Sequence, residues 1–188
     1  MENQPAPQTP FTGCLLVANP FSEDPFFAKS VVLILTHDSE GSLGVVLNQK
    51  TPFEISIVDQ DDSPTLPVYL GGPVNTDDSG FLFLHKIAKL PEAAHVCLDW
   101  YYGGDSESIM EELPTGKINR WNTRIFNGYS GWNPKQLQEE INNGHWIVVK
   151  PQDKYFLPHV EDIWEEITES LTGNYQIIAK AAKDIQLN

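Results

Sequence analysis

The sequence predicts a single α+β domain. The chain has 188 residues, which is enough for one sizeable core and leaves little room for a second. Apolar residues make up 40% of it and aromatic residues 11%, as in folded proteins rather than disordered ones. Short apolar runs of strand length outnumber the amphipathic helical segments, which favours the α+β class.

The first twelve residues differ in composition from the rest. Residues 1–12 contain three prolines and mostly polar side chains, so we expect a disordered N-terminal tail. The tail has neither a basic residue nor an apolar stretch and does not resemble a signal peptide. The folded domain is therefore predicted to cover 13–188. Its apolar runs are all shorter than a membrane span, so we expect no membrane association.

Eight apolar runs are predicted to be strands. The run Val31–Leu35 is continuous rather than alternating, which is typical of a central strand covered on both faces. The predicted strands are Gly13–Ala18, Ser30–Thr36, Gly44–Asn48, Val68–Leu70, Gly80–His85, His95–Trp100, Arg120–Asn127 and His145–Lys150.

The clearest predicted helix is Pro134–Asn143. Asn133 is placed to cap it and Gln136 to complete a capping box, while Pro134 suits the first helical position. Gly144 is placed to end it.

Three further helices are predicted. Ser106–Leu113 follows Asp105 as its cap, and His159–Thr172 has one apolar face opposite an acidic row. A terminal helix is predicted at Gln176–Lys183.

Residues Thr51–Pro67 are predicted to form a long excursion between strands. Asp59, Asp61 and Asp62 lie there, but the segment lacks the glycine and the glutamate that a calcium-binding EF-hand loop requires. We therefore interpret it as an acidic loop.

The charge balance argues against nucleic acid as a direct partner. The formal net charge is −14, from 26 acidic and 12 basic residues, and Arg120 and Arg124 are the two arginines. Nucleic-acid binding depends on basic side chains that neutralise phosphates, and anionic membranes attract the same residues. Neither partner suits this chain.

The two cysteines, Cys14 and Cys97, lie inside apolar runs. Buried, reduced thiols are the simplest interpretation, and a redox pair is the alternative. A reducing compartment follows from the first interpretation, so we expect a cytoplasmic protein.

No metal or cofactor is predicted. The histidines occur in none of the local arrangements that mark zinc sites, although a site assembled from distant residues stays open. They are His37, His85, His95, His145 and His159. Dinucleotide and Walker glycine motifs are also missing, and the glycines before Asp105 fit a capped helix better than a phosphate site.

Two glycine-containing segments are candidates for functional turns. Gly128–Trp132 resembles a nucleophile elbow, but the elbow needs glycine at position 132, so we interpret it as a tight turn before a helix. Gly71 and Gly72 precede Pro73 and predict a sharp, crowded turn that could line a pocket.

These blocks together resemble the YqgE/AlgH family. The similarity runs from about residue 13 to 171 and includes Leu15–Pro20, Asp24–Phe27, Ser30–His37, Gly44–Asn48, Gly71–Val74, Gly80–His85, Gly128–Trp132, Gln136–Leu137, Glu140–Ile141 and Trp146. The resemblance implies a bacterial protein whose bifurcated sheet folds into a pseudo-barrel with helices outside. Some members are labelled transcriptional regulators, and no catalytic residues are agreed that could be carried over. Many members have arginine where this chain has Gln49, so no anion-binding arginine is implied here.

A non-enzymatic regulatory or interaction protein is the favoured function. We expect it to bind a protein or a small molecule at a surface made of Asn48, Gly71, Gly72, Pro73, His85, Gly128, Tyr129, Gly131 and Trp132. The alternative is an enzyme in which His37 or His85 acts as acid–base in a pocket, although a buried, hydrogen-bonded role suits His85 better. A DNA-binding transcription factor ranks last, because the charge has the wrong sign and no helix-turn-helix pattern can be placed.

Overall fold

Two β-sheets and three short α-helices make up the part of the chain that the computed structural model describes, residues 9–22, 24–56, 65–74, 80–112, 115–156 and 162–171. The helices are α1 (Ser106–Glu112), α2 (Gln136–Asn142) and α3 (Ile163–Ser170), and a 3-10 turn covers Asp153–Phe156. Within these residues, no helix is both long enough and apolar enough to cross a membrane.

The first sheet has five antiparallel strands in the order β10-β3-β2-β1-β11. They are β1 (Leu15–Ala18), β2 (Val31–Asp38), β3 (Gly41–Val46), β10 (Ser130–Trp132) and β11 (Trp146–Val149).

The second sheet has six strands in the order β4-β5-β9-β6-β8-β7, and it is mixed because β5 runs parallel to β9. Its strands are β4 (Lys50–Ser56), β5 (Thr65–Leu70), β6 (Phe81–His85), β7 (Ala93–Cys97), β8 (Trp100–Gly103) and β9 (Thr123–Asn127).

The main core lies between the two sheets. Side chains at alternate positions of β1 and β2, such as Leu15 and Leu33, meet Leu84 and Phe126 of the second sheet in one buried cluster. The intervening positions face outward and are also buried, against Leu137 and its neighbours on α2. Apolar side chains on both faces explain the continuous runs, as the sequence predicted.

The α+β class and the single domain are confirmed, because the main cluster unites both sheets and α3. The sheets do not close into a barrel: the strand pairings of the described residues leave both of them open. Two sheets joined through a shared core are the more accurate description.

The predicted strand His95–Trp100 was wrong as a single element. The chain turns at Leu98, whose φ is 51°, so that β7 ends at Cys97 and β8 begins at Trp100. A leucine in the left-handed region is not a turn signal, and the turn therefore looked like a continuous strand.

The prediction of a long loop at Thr51–Pro67 was also wrong at both ends of the segment, which are strands. Lys50–Ser56 and Thr65–Leu70 pair as antiparallel strands at one edge of the six-stranded sheet. Pro52 is tolerated because β4 is an edge strand whose pairing with β5 is irregular between Lys50 and Glu54. Residues 57–64, which include the aspartate cluster, lie outside the described residues.

Helix α2 begins two residues later than predicted. Lys135, at φ 70°, occupies the N-cap position, and no side chain caps the helix. One half of the expected capping box forms, because Gln136 Oε1 accepts the Asn133 backbone N–H at 3.0 Å. Gly144 ends the helix as predicted, since its N–H and that of His145 bond to carbonyls of the last turn.

The other helices follow the prediction where the structure describes them. Asp105 caps α1 through its Oδ2, which accepts the Ser108 N–H at 2.9 Å. In α3, Ile163, Trp164 and Ile167 form the buried face. Residues 1–8 of the tail predicted over 1–12, and the helix predicted at Gln176–Lys183, lie outside the described residues.

Candidate functional site

The two glycine turns meet in space. The Gly71 N–H donates to the Asn127 carbonyl at 2.8 Å, and a Cβ at Gly71 would lie 2.1 Å from the Gly128 oxygen. A Cβ at Gly72 would lie 2.1 Å from the Tyr129 carbonyl carbon. Only glycine fits such close backbone contact, which explains the residue type at both positions.

This glycine junction connects the two sheets. The chain leaves β9 of the six-stranded sheet and enters β10 of the five-stranded sheet across Gly128, whose φ is 73°. Val74 and Tyr129 exchange two backbone hydrogen bonds, and the Ser130 hydroxyl donates to the Gly71 carbonyl at 3.2 Å. The turns are thereby locked together.

A cleft of about 640 Å³ opens beside the junction, and we call it the tryptophan cleft. Strand β10, helix α2, the start of β11 and the loop after β1 supply its walls. It is lined by Ala18, Phe21, Ser22, Asp24, Phe27, Pro73, Val74, Ser130, Gly131, Trp132, Gln136, Glu140, His145 and Trp146.

The Glu140 carboxylate organises the cleft wall. Its Oε2 accepts the indole N–H groups of Trp132 and Trp146, each at 2.8 Å. Its Oε1 accepts the Gln136 amide N–H at 2.9 Å. Hydrogen bonds to an ionised acceptor are stronger than neutral ones, so this partly buried carboxylate fixes both indoles.

The loop after β1 forms the facing wall. Asp24 Oδ1 accepts the backbone N–H groups of Phe26 and Phe27 at 2.9 and 3.2 Å. The Phe27 ring packs edge-on against Trp146, with 5.3 Å between ring centroids. Asn19 holds the loop to the end of α2, because its Nδ2 donates to the Gly144 carbonyl at 2.7 Å.

The structure brings only part of the predicted surface into this cleft. Pro73, Gly131 and Trp132 line it, while Gly71 and Gly72 lie behind them in the junction. Gly128 and Tyr129 line a second, smaller cleft of about 260 Å³.

Asn48 lies apart from these residues, in a third cleft of about 800 Å³ beside the edge strand β4. Its side chain ties β3 to the start of β2: Oδ1 accepts the Val31 N–H at 2.9 Å and Nδ2 donates to the Lys29 carbonyl at 2.8 Å. These bonds give Asn48 a structural role.

His85 is fully buried and lines none of the three clefts. Its Nδ1 accepts the Ile87 N–H at 3.2 Å, which places the proton on Nε2, and Nε2 makes no hydrogen bond within the described part of the chain. Burial lowers the pKa of His85 below its ordinary value, and the Gly103 backbone opposes this shift. An acid–base role in a pocket therefore loses its support at His85.

His37 fits the enzymatic alternative better, because its Nδ1 lies 2.7 Å from the Ser42 hydroxyl. Both residues are partly buried and sit where β2 and β3 pair. The described contacts give His37 no carboxylate to orient its ring, which a serine–histidine nucleophile requires.

Among the residues that the structure describes, the thiols and possible metal ligands offer no second site. Cys14 and Cys97 are free and buried, and burial raises the pKa of each thiol to about 11, so both stay protonated and unreactive near neutral pH. Over the described ranges, no three His, Cys, Asp or Glu side chains come together as they would around a metal ion.

Sequence reasoning missed Asp24, Phe27, Glu140 and Trp146 as site residues. Glu140 gave no usable signal, because its need for a partner follows from its partial burial beside the apolar stripe of α2, which only the structure shows. The partners are indoles 8 residues before it and 6 after it, and no local motif connects them.

Comparison with known proteins places this fold among bacterial relatives. The AlgH-like family model matches residues 15–176. A UPF0301 protein of Bacteroides thetaiotaomicron is 33% identical over 171 residues, covering 89% of this chain and 86% of the relative. A UPF0301 protein of Streptomyces coelicolor is 35% identical, covering 94% and 95%.

Two solved structures share the fold. A crystal structure from Corynebacterium diphtheriae has a TM-score of 0.70 at 23% identity, covering 92% of this chain and 93% of that one. The solution structure of the AlgH protein from Pseudomonas aeruginosa has a TM-score of 0.67 at 22% identity, covering 91% and 95%. The family model and the sequence relatives agree, and the chain belongs to the AlgH-like family.

Proposed function

We propose that this protein is a non-enzymatic regulatory module that binds its partner or ligand at the tryptophan cleft. The observation that carries the proposal is the set of hydrogen bonds to the Glu140 carboxylate. It accepts the indole N–H groups of Trp132 and Trp146, which fixes both rings, and it also accepts the Gln136 amide N–H. A pocket with walls fixed in advance loses less entropy on binding.

The chemistry around the cleft favours binding over catalysis. Its acidic side chains act as structural acceptors, and its serines also take part in local structure: Ser130 donates to the Gly71 carbonyl and Ser22 accepts the Asp24 backbone N–H. The label of transcriptional regulator that the family resemblance implies is compatible with this proposal if regulation runs through a protein partner. The net charge of −14 supports a protein contact over a DNA contact.

Blocking the cleft tests the proposal. Gly131 lines the cleft and is exposed, and a Cβ there meets only Tyr129, at an ordinary 3.7 Å, so Gly131→Gln adds a side chain at the cleft without backbone strain. We expect Gly131→Gln to lose a partner that the wild type captures from a bacterial lysate in a quantitative pull-down.

Glu139→Gln is the matched control, because Glu139 is exposed on α2 and outside the cleft. Identical partner lists for wild type, Gly131→Gln and Glu139→Gln would count against the cleft as the binding site.

A second candidate is an enzyme that uses His37 with Ser42, favoured by their 2.7 Å contact. An active-serine probe, such as a fluorophosphonate, would label Ser42 in the wild type and not in His37→Ala if this pair were a nucleophile and its base. If the probe labelled neither the wild type nor His37→Ala, this candidate would be excluded.

A further inference from the structure

We infer that the tryptophan cleft receives a cationic group, an ammonium or guanidinium on an apolar stem. This inference rests on the proposed binding function and names the chemistry of the ligand. The group could belong to a free organic cation or to a lysine or arginine side chain of a protein partner, and both sources present the same charge and stem.

The first support is the charge of the cleft lining. Asp24 and Glu140 contribute carboxylates, and its lining residues include neither lysine nor arginine. Neither acid takes part in an ion pair of the described residues. The hydrogen bonds that each receives come from neutral groups, so both negative charges remain uncompensated.

The second support is that the carboxylates keep acceptor capacity. A carboxylate offers about four acceptor positions, and Glu140 uses three of them. Asp24 receives both of its backbone hydrogen bonds on Oδ1, and Asp24 itself is exposed. A guanidinium or ammonium donor can therefore bind without displacing the bonds that shape the cleft.

The third support is the apolar rim. Phe21 is 51% exposed and Val74 37% exposed, and both line the cleft. Exposed apolar side chains beside uncompensated carboxylates complement an alkyl stem that ends in a positive charge, as in lysine and arginine.

Other ligand classes fit less well. An anion would find no basic lysine or arginine in the lining. A sugar would find little indole surface to stack on and no free indole N–H, because Trp132 and Trp146 are each only 6% exposed and their N–H groups donate to Glu140. The net charge of −14 would also steer cations toward the surface and repel anions.

Calorimetric titration with two isosteric peptides tests the inference. The probes are acetyl-Gly-Arg-Gly-amide and the same peptide with citrulline, which has the shape of arginine and no charge. We expect the arginine peptide to bind at least about tenfold more tightly, because charge-assisted hydrogen bonds are about twice as strong as neutral ones. We also expect its affinity to fall as salt rises.

Matched variants locate the charge. Glu140→Gln keeps an oxygen that can accept both indole N–H groups, so we expect the cleft to fold and arginine affinity to fall about tenfold. Glu139→Gln makes the same charge change on the exposed side of α2 and should leave affinity near that of the wild type.

Agmatine, a free guanidinium compound, separates the two sources. Binding of agmatine as tight as that of the peptide supports a free organic cation, and binding of the peptide alone supports a side chain of a protein partner. Equal affinity for arginine and citrulline peptides, or no binding of either, would overturn the inference. If the peptides gave that negative result while Gly131→Gln still lost its partner in the lysate pull-down, the proposed binding function would be supported and only the cationic nature of the ligand would be wrong.

Discussion

Several side chains of this protein form hydrogen bonds with groups that are distant in the sequence. Glu140 joins tryptophans from β10 and β11, and Trp164 of α3 donates to the Ala18 carbonyl at 2.9 Å, 146 residues away. Arg124 is buried in β9 and donates to the Leu47 carbonyl at 3.0 Å, which bridges the two sheets. These pairings use polar groups that would otherwise be buried at a cost.

This pattern limits what sequence reasoning could find at the site. The turn at Gly71–Pro73 was predictable, because a glycine pair before a proline is a local feature. The segment Gly128–Trp132 was interpreted as a tight turn before a helix, but Ser130–Trp132 forms strand β10. Glu140 was not predictable, because its role depends on two indoles brought together only by folding. His85 looked like a surface candidate because it ends a strand, yet it is fully buried.

His85 makes stability depend on pH in a predictable direction. Burial lowers the pKa of His85 below its ordinary 6.5, so the unfolded chain binds the proton more readily than the folded one. The stability contributed by neutral His85 is present above pH 6.5 and is lost as the pH falls through the lower, folded value.

The variant His85→Asn retains an acceptor for the Ile87 N–H and does not titrate. We expect the wild type's advantage over it in free energy of unfolding to be larger at pH 7.5 than at pH 5.5, as measured by urea denaturation. A constant difference across this range would show that His85 does not titrate as described.

At the scale of secondary structure, the join between α2 and β11 positions one side of the cleft. Gly144, at φ 78°, ends the helix, and its carbonyl accepts the Asn19 amide that holds the facing loop. His145 then leads into Trp146 at the start of β11. The end of the helix and the position of the loop are thus set by one residue.

Replacing this glycine tests the join. A Cβ at Gly144 would meet nothing within 4 Å. We therefore expect Gly144→Ala to lower the free energy of unfolding by about 1 kcal/mol, which is the cost of placing an alanine in the left-handed conformation. The comparison is Gly131→Ala, which also has room but no positive φ, and which we expect to change stability by less. Denaturant midpoints measure both, and equal losses would contradict a backbone origin.

The elements were predictable where their pattern was local. Continuous apolar runs predicted the central strands β1 and β2 and the edge strand β11, because both faces of the five-stranded sheet are covered. The edge strand β4 was missed, since Lys50–Ser56 is mostly exposed and contains a proline. The hairpin at Leu98 was missed because its turn carries no glycine, proline, asparagine or aspartate at the position with φ 51°.

At the scale of the whole molecule, the glycine junction joins the two sheets. Backbone of the Gly71–Gly72 turn lies directly against backbone of Gly128–Ser130, where the chain passes from one sheet to the other. The contact has no flexible side chain that could yield. The relative placement of the sheets, and hence of the cleft beside the junction, depends on it.

We expect Gly72→Ala to destabilise the protein by more than about 3 kcal/mol, or to prevent folding, because its Cβ would lie 2.1 Å from the Tyr129 carbonyl. Gly80→Ala is the control: it has a positive φ of 93° but an open surrounding, so it should cost about 1 kcal/mol. Thermal or urea unfolding distinguishes them. Similar costs at the two positions would mean that the junction is not tightly packed.

The most direct test of the cleft is the indole N–H region of a ¹H–¹⁵N NMR spectrum, which holds one signal for each of the five tryptophans. We expect Glu140→Gln to shift two signals, those of Trp132 and Trp146, because an amide oxygen accepts more weakly than a carboxylate. Glu139→Gln should shift neither. If Glu140→Gln leaves both signals in place while the protein remains folded, Glu140 does not hold the cleft wall and the proposed site loses its foundation.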